Sequence, residues 1–112
     1  MTYTDNAKQR FSALGLKPND LSKSQIEKLI QITNEVAQEK QIMNGNLTFK
    51  VANTENESIR VNCDSHYFDN REAYTFYPNG EVSIAYWADG LVSKYFAQAF
   101  EAWLDQLVAQ PA

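Results

Sequence analysis

Four consecutive residues of this chain, Cys63, Asp64, Ser65 and His66, have side chains that could do chemistry, and Asp69 follows closely. Thiolate and imidazole groups bind zinc, and the same two groups form the nucleophile–base pair of thiol catalysis. The chain contains one Cys and one His, so it lacks a second pair to complete a tetrahedral zinc site. Side chains three residues apart on a strand point to opposite faces. We therefore interpret Cys63 as a buried structural thiol, with His66 at the rim, and we predict no metal site.

Carboxylates are the other reactive groups, because two of them at about 5–9 Å can hydrolyse a glycosidic bond. Asp64, Asp69, Glu72 and Glu81 lie on or beside neighbouring predicted strands. Glu72 follows Arg71 and Glu81 follows a turn, so we interpret both as solvated strand ends. The four glycines are isolated, which excludes a glycine-rich phosphate loop. The sequence thus provides no catalytic residue and no cofactor site; it favours a protein without enzymatic activity and leaves catalysis open.

Charge and aromatic content are unevenly distributed along the 112 residues. Residues 1–50 carry seven Lys/Arg and five Asp/Glu, whereas residues 51–112 carry three and nine. Eleven of the 14 aromatic residues lie between Tyr67 and Trp103. Nucleic acid is not expected as a partner, because phosphate binding requires basic residues. The chain shows neither a signal peptide nor an apolar run of about 18 residues, which predicts a cytoplasmic protein without membrane contact.

The hydrophobic pattern predicts a single α+β domain over residues 1–112. Ser22 and Gln25 have capping-box spacing, Thr4 is a candidate cap of the first helix, and the period changes from about 3.6 to 2 after Gly45. Pro78-Asn79-Gly80 predicts a type I turn with Gly80 in the left-handed region. The order is two N-terminal helices, a four-stranded antiparallel meander and a C-terminal helix on one sheet face (ααββββα). The predicted helices are 5–14, 23–40 and 91–108, and the strands are 47–52, 58–66, 71–77 and 81–87.

Alternation along the strands separates two faces of the predicted sheet. The face that should receive the last helix includes Tyr74, Phe76, Val82, Ile84 and Tyr86. The opposite face, which we call the outer face, has small residues at its centre and the large rings of Tyr77 and Trp87 at the end of the hairpin. Its predicted members are Thr48, Lys50, Arg60, Asn62, Asp64, Ala73, Thr75, Tyr77, Ser83, Ala85 and Trp87.

The outer face admits two interpretations. Either the N-terminal helices cover it, or Trp87 packs under the loop to the last helix, and then it has only a structural role. Alternatively it binds another protein through Tyr77 and Trp87, beside Arg60 and Asp64, because interface anchors are enriched in Trp and Tyr. The acidity of residues 51–112 would attract a basic partner.

Three functional hypotheses follow. The leading one is a non-enzymatic protein-binding module of the inhibitor, immunity or phage- and plasmid-accessory type. The alternative is a small-molecule-binding or weakly enzymatic domain, whose pocket between sheet and helices would be lined by Tyr74, Tyr86, Tyr95 and Trp103. The third is a homodimer formed through the outer face.

Overall fold

The computed structural model describes residues 2–109 and has the predicted α+β order of helix, helix, four strands and helix. The antiparallel sheet has the strand order β1-β2-β3-β4, which confirms the meander. Two short 3₁₀ segments, Pro18–Asp20 and Ile42–Gly45, precede α2 and β1. The elements are α1 (Tyr3–Ala13), α2 (Lys23–Glu39), β1 (Leu47–Asn53), β2 (Ile59–Ser65), β3 (Arg71–Phe76), β4 (Val82–Ile84) and α3 (Leu91–Ala109).

Capping boxes set the start of the first two helices. At α2, the Gln25 N–H donates to the Ser22 hydroxyl (3.2 Å) and the Ser22 N–H donates to the Gln25 side-chain oxygen (2.7 Å), as predicted. The predicted cap of α1 was wrong, because Thr4 lies inside the helix. Thr2 is the cap, since Asp5 stands three residues after it and completes the box.

Irregular backbone at two alanines changes the direction of side chains in the β3–β4 hairpin. Val61 pairs with Tyr74 but Asn62 pairs with Glu72, so Ala73 is the extra residue of a β-bulge. Ala85, just after β4, has a φ of 37°, in the left-handed region that residues with a Cβ seldom adopt. The turn between the strands is as predicted: Gly80 has a φ of 89° and its N–H donates to the Tyr77 carbonyl (2.9 Å).

All three helices pack on one side of the sheet, which we call the inner face and which includes Tyr74, Phe76 and Ile84. The Phe11 ring of α1 lies 5.4 Å from Phe76, and the Phe100 ring of α3 lies 5.4 Å from Tyr74. From α2, the Thr33 hydroxyl lies 2.8 Å from the Tyr74 hydroxyl. The packing of α3 is as predicted. The N-terminal helices do not cover the outer face, because their apolar sides are already used against the inner face and α3.

The last helix holds the helical layer together. Its Trp103 indole N–H donates to the Gln25 carbonyl of α2 (2.8 Å), and its Asp105 carboxylate pairs with Arg10 of α1 (2.8 Å). Trp103, Phe100 and Phe96 are almost completely buried. The opposite side of the sheet therefore has no helix packed on it, and its own side chains form its surface.

Candidate functional site

The outer face presents a cluster of hydroxyl, carboxylate and phenol groups where β2, β3 and β4 meet. Thr75 of β3 pairs with Arg60 of β2 and with Ser83 of β4, one residue out of phase with the inner-face pair Tyr74 and Ile84. The bulge at Ala73 brings Glu72 to the same side as Thr75. We refer to Glu72, Thr75, Tyr77, Ser83 and Tyr86 as the tyrosine–carboxylate cluster.

Glu72 is the centre of this cluster. Its carboxylate accepts hydrogen bonds from the Thr75 hydroxyl (2.6 Å) and the Ser83 hydroxyl (2.9 Å), and only 6% of the residue is exposed. Within residues 2–109, no Lys or Arg nitrogen comes within 4.0 Å of it. The interpretation of Glu72 as a solvated strand end was wrong, as was the outward placement of Ala73, because the bulge shifts the alternation of β3 by one residue.

Tyr77 lies half-buried beside this carboxylate. Burial raises the pKa of its hydroxyl above the ordinary value, and the negative charge of Glu72 and the neighbouring Tyr86 phenol raise it further. The Arg60 guanidinium opposes this shift. Glu72, Tyr86 and Arg60 therefore all lie within electrostatic range of the Tyr77 hydroxyl.

Arg60 and Asp64 also lie on the outer face, along β2. The Arg60 Nε is buried and has no hydrogen-bond partner in the described part of the chain, and its Nη2 makes only a 3.5 Å contact with the Asn70 carbonyl. Asp64 lies two residues after Asn62 and therefore on the same face of β2. Its carboxylate accepts a hydrogen bond from the Asn70 N–H and so fixes the loop between β2 and β3. Three of the four predicted binding residues, Tyr77, Arg60 and Asp64, therefore share this face.

The predicted position of Trp87 was wrong. Its ring packs 5.0 Å from Phe68 and 6.5 Å from Phe96 of α3, and its indole N–H donates to the Glu72 carbonyl. The left-handed conformation of Ala85 reverses the alternation after β4, so Trp87 turns towards α3. Packing under the loop to the last helix, one of the two structural alternatives, is the position observed.

Tyr86 takes the exposed place that alternation gave to Trp87. The residue is 76% exposed, whereas the sequence pattern placed it in the core. An alanine with positive φ has no sequence signal, because glycine and asparagine are the residues usually found there. Tyr86 and Glu72 are thus the two cluster residues that sequence reasoning missed.

The other groups with possible chemistry are dispersed. Cys63 is fully buried, and this burial raises the pKa of its thiol to about 12, which keeps it protonated and unreactive at neutral pH. His66 is exposed and its ring lies 5.7 Å from Tyr67. Among residues 2–109, no three His, Cys, Asp or Glu side chains are grouped so that they could hold a metal ion.

The rings predicted to line a small-molecule pocket between sheet and helices do not all lie together. Tyr74 and Trp103 are packed in the core, where the Tyr74 hydroxyl donates to the Phe96 carbonyl (3.0 Å). Tyr86 lies across the sheet from them. These rings therefore do not surround a common cavity.

We compared the chain with protein-family models, with curated proteins and with solved structures, and none of them matches it. Among the helices of residues 2–109, none is both long and apolar enough to cross a membrane.

Proposed function

We propose that this chain is a non-enzymatic protein-binding domain and that its partner docks on the outer face, over the tyrosine–carboxylate cluster. One observation carries the proposal: the three helices occupy only the inner face, so the outer face leaves the half-buried Tyr77 beside the buried Glu72 carboxylate without a covering element, and the 76% exposed Tyr86 follows just after β4. Tyrosine is one of the residues enriched among interface anchors.

The chemistry of the cluster suits a basic side chain of the partner. Two neutral hydroxyls solvate the Glu72 carboxylate, but no cation of residues 2–109 pairs with it. An Arg or Lys placed between Tyr77 and Tyr86 would pair with this charge and contact the faces of both rings. The excess of Asp/Glu after residue 50 would speed the approach of a basic surface.

Catalysis is less well supported by the same cluster. Ser83 and Thr75 donate to Glu72, but no His or Lys of the described residues accompanies them as a base. Inhibitor, immunity or phage- and plasmid-accessory proteins need a surface of this kind and no catalytic set, so the proposal stays with those classes.

Affinity capture from a lysate of the source cells tests the proposal with matched tyrosine variants. Tyr86→Ala removes the exposed ring of the cluster, whereas Tyr3→Ala removes an exposed ring on α1, on the helical side. We expect the wild type and Tyr3→Ala to retain the same basic protein, and Tyr86→Ala to retain it about tenfold less well. Equal capture by all three forms, or no retained protein, would contradict the proposal.

Glu72→Gln tests the role of the charge separately from the ring. Glutamine can keep hydrogen bonds with Thr75 and Ser83, so the fold should be retained while the negative charge is lost. We expect weaker binding of the captured partner and a smaller loss of affinity on adding salt, because one ionic contact is missing. Unchanged salt dependence would rule out the proposed ion pair.

A further inference from the structure

Strand β1 is a long edge of the sheet without a neighbouring strand. β1 pairs only with β2, and five of its seven residues are exposed. The opposite edge, β4, is only three residues long. Exposed edge strands are templates for pairing with another chain. β1 is therefore the edge of this sheet that could accept one.

The backbone of β1 has outward-pointing groups ready for such pairing. Just beyond the strand, the Thr54 N–H donates to the Ser58 carbonyl (2.9 Å), which sets the alternation of the β1–β2 ladder. Even-numbered residues of β1 consequently bond to β2, and the N–H and C=O groups of Phe49 and Val51 point away from the sheet. Within residues 2–109, these groups have no hydrogen-bond partner outside the ladder.

A cleft of about 360 Å³ opens beside this edge, between β1, the β2 start and the first turn of α2. Its apolar lining is Leu21, Ile26, Val51 and Ile59, and its polar lining is Lys23, Glu27 and Asn53, of which Lys23 and Glu27 form an ion pair (4.0 Å). Val51 is 47% exposed, so the cleft is open towards the free edge. A strand added to β1 would place alternate side chains over this cleft, because residues opposite Val51 point to the inner face.

We propose that β1 binds an extended segment of another protein by parallel strand addition, with a large apolar side chain opposite Val51 in the cleft and the acidic residue that precedes it opposite Lys50. Strand addition takes its affinity from main-chain hydrogen bonds and its specificity from pockets for alternate side chains. Lys50 is the only charged residue of β1 and lies on the outer face, exposed. An acidic residue beside it would form a cross-strand pair of opposite charges.

The same lysine argues against a second copy of this chain as the occupant. Antiparallel pairing of all seven residues of β1 with itself would place Lys50 directly opposite Lys50. Like charges in this position are destabilising, and lysine on an edge strand is a known protection against self-association. The occupant is therefore a different sequence, with acidic and apolar residues next to each other.

Three blocked nonapeptides test the proposal by titration calorimetry. All have the frame Thr-Val-Thr-Val-x-x-Thr-Val-Thr, and the central pair is Glu-Leu, Glu-Ser or Lys-Leu. We expect the Glu-Leu peptide to bind about tenfold more tightly than Glu-Ser, because leucine fills the cleft, and about fivefold more tightly than Lys-Leu. Equal binding of Glu-Leu and Glu-Ser, or no binding of any peptide at about 1 mM, would overturn the proposal.

Three substitutions at two positions of the edge complete the test. Val51→Pro removes an outward N–H without removing a bond to β2, and we expect about tenfold weaker binding of the Glu-Leu peptide. Val51→Thr keeps the N–H and the branched shape and is the matched control, with about twofold weaker binding expected. Lys50→Glu leaves the backbone intact, so it tests the proposal even if the proline variant fails to fold. It should reverse the preference between Glu-Leu and Lys-Leu.

The remaining outcomes are also decisive. If Val51→Pro is folded and binds the Glu-Leu peptide like the wild type, the edge is not the binding site. If the wild type is a dimer by light scattering and Val51→Pro is a monomer, a second copy occupies β1 and the proposal is wrong. The Tyr86→Ala variant should bind the peptide normally, because Tyr86 is far from β1 in the strand order, so this test and that of the outer face can fail independently.

Discussion

The two faces of the sheet differ in chemistry and burial: the inner face is aromatic and buried, and the outer face is polar and partly exposed. On the inner face, the aromatic rings of α1, α3 and β3 lie with centroids between 5.3 and 6.4 Å apart, and the rings are almost fully buried (Phe11, Tyr74, Phe76, Phe100, Trp103). On the outer face, hydroxyls and carboxylates bond to one another and a tyrosine extends into solvent. Burial of apolar area, and hence stability, is therefore concentrated on the inner face, and the outer face contributes little to it.

Removal of a core ring tests this division of stability between the two faces directly. Phe100→Ala removes a ring that contacts Phe11, Tyr74, Phe76 and Trp103, and leaves a cavity at the centre of the core. We expect the free energy of unfolding in urea to fall by about 3–5 kcal/mol. Tyr86→Ala on the outer face should change it by less than about 0.5 kcal/mol. Similar losses for the two variants would contradict the division between the faces.

The buried Cys63 thiol of the inner face should make the free energy of unfolding depend on pH. Burial raises the pKa of Cys63 from 9.0 to about 12, so between these values the folded protein holds a proton that the unfolded chain has lost. Stability should therefore fall as the pH rises through this range. Between pH 8 and 11, we expect the wild type to lose about 2 kcal/mol more than Cys63→Ala in urea unfolding.

Burial is also the main cause that raises the pKa of the Tyr74 hydroxyl, and this contribution is present in both proteins; Cys63 adds a smaller effect on Tyr74 that is lost in Cys63→Ala. Only the difference between the two alkaline losses is used, so a cavity left by the alanine does not enter. Parallel loss of stability in the two proteins would mean that Cys63 is solvated in the folded state.

A small change in stability is expected from relieving the positive φ of Ala85, the residue that sets which side chains follow β4 on each face. Ala85→Gly relieves the steric cost of a side chain at a φ of 37° and should stabilise the protein by about 0.5 kcal/mol in thermal or urea unfolding. Ala73→Gly is the matched control, because the φ of Ala73 is not positive, and glycine there should destabilise by a similar amount. If both substitutions destabilise equally, the left-handed conformation of Ala85 is not strained.

Sequence patterns predicted the order of elements and the start of α2, because capping and periodicity are local properties. Ser22 with Gln25 and the Pro78-Asn79-Gly80 turn are examples in which the residue types alone determine the geometry. The partner-binding role of Tyr77, Arg60, Asp64 and Trp87 remains a prediction. The geometry places the first three on one face, and Tyr86 rather than Trp87 is the exposed ring.

The errors in side-chain direction on the β3–β4 hairpin have one physical origin. Strand alternation has a period of two, so a single extra or left-handed residue puts the side chains before it out of phase with those after it. Ala73 and Ala85 are such residues, and alanine is compatible with regular strands, so nothing local reveals them. The bulge exchanged Ala73 for Glu72 on the outer face, and the turn at Ala85 exchanged Trp87 for Tyr86.

The pairing of α1 with α3 also constrains how the chain folds. Arg10 and Asp105, 95 residues apart in sequence, form an ion pair, and Phe11 stacks 6.4 Å from Trp103. Until α3 has been synthesised, the aromatic inner face of the hairpin and the apolar side of α1 have nothing to cover them. Contacts between such distant segments slow folding and leave apolar surface exposed in the meantime. We therefore expect the nascent chain to depend on the emergence of its last helix, and to bind chaperones until Phe96–Leu104 has left the ribosome.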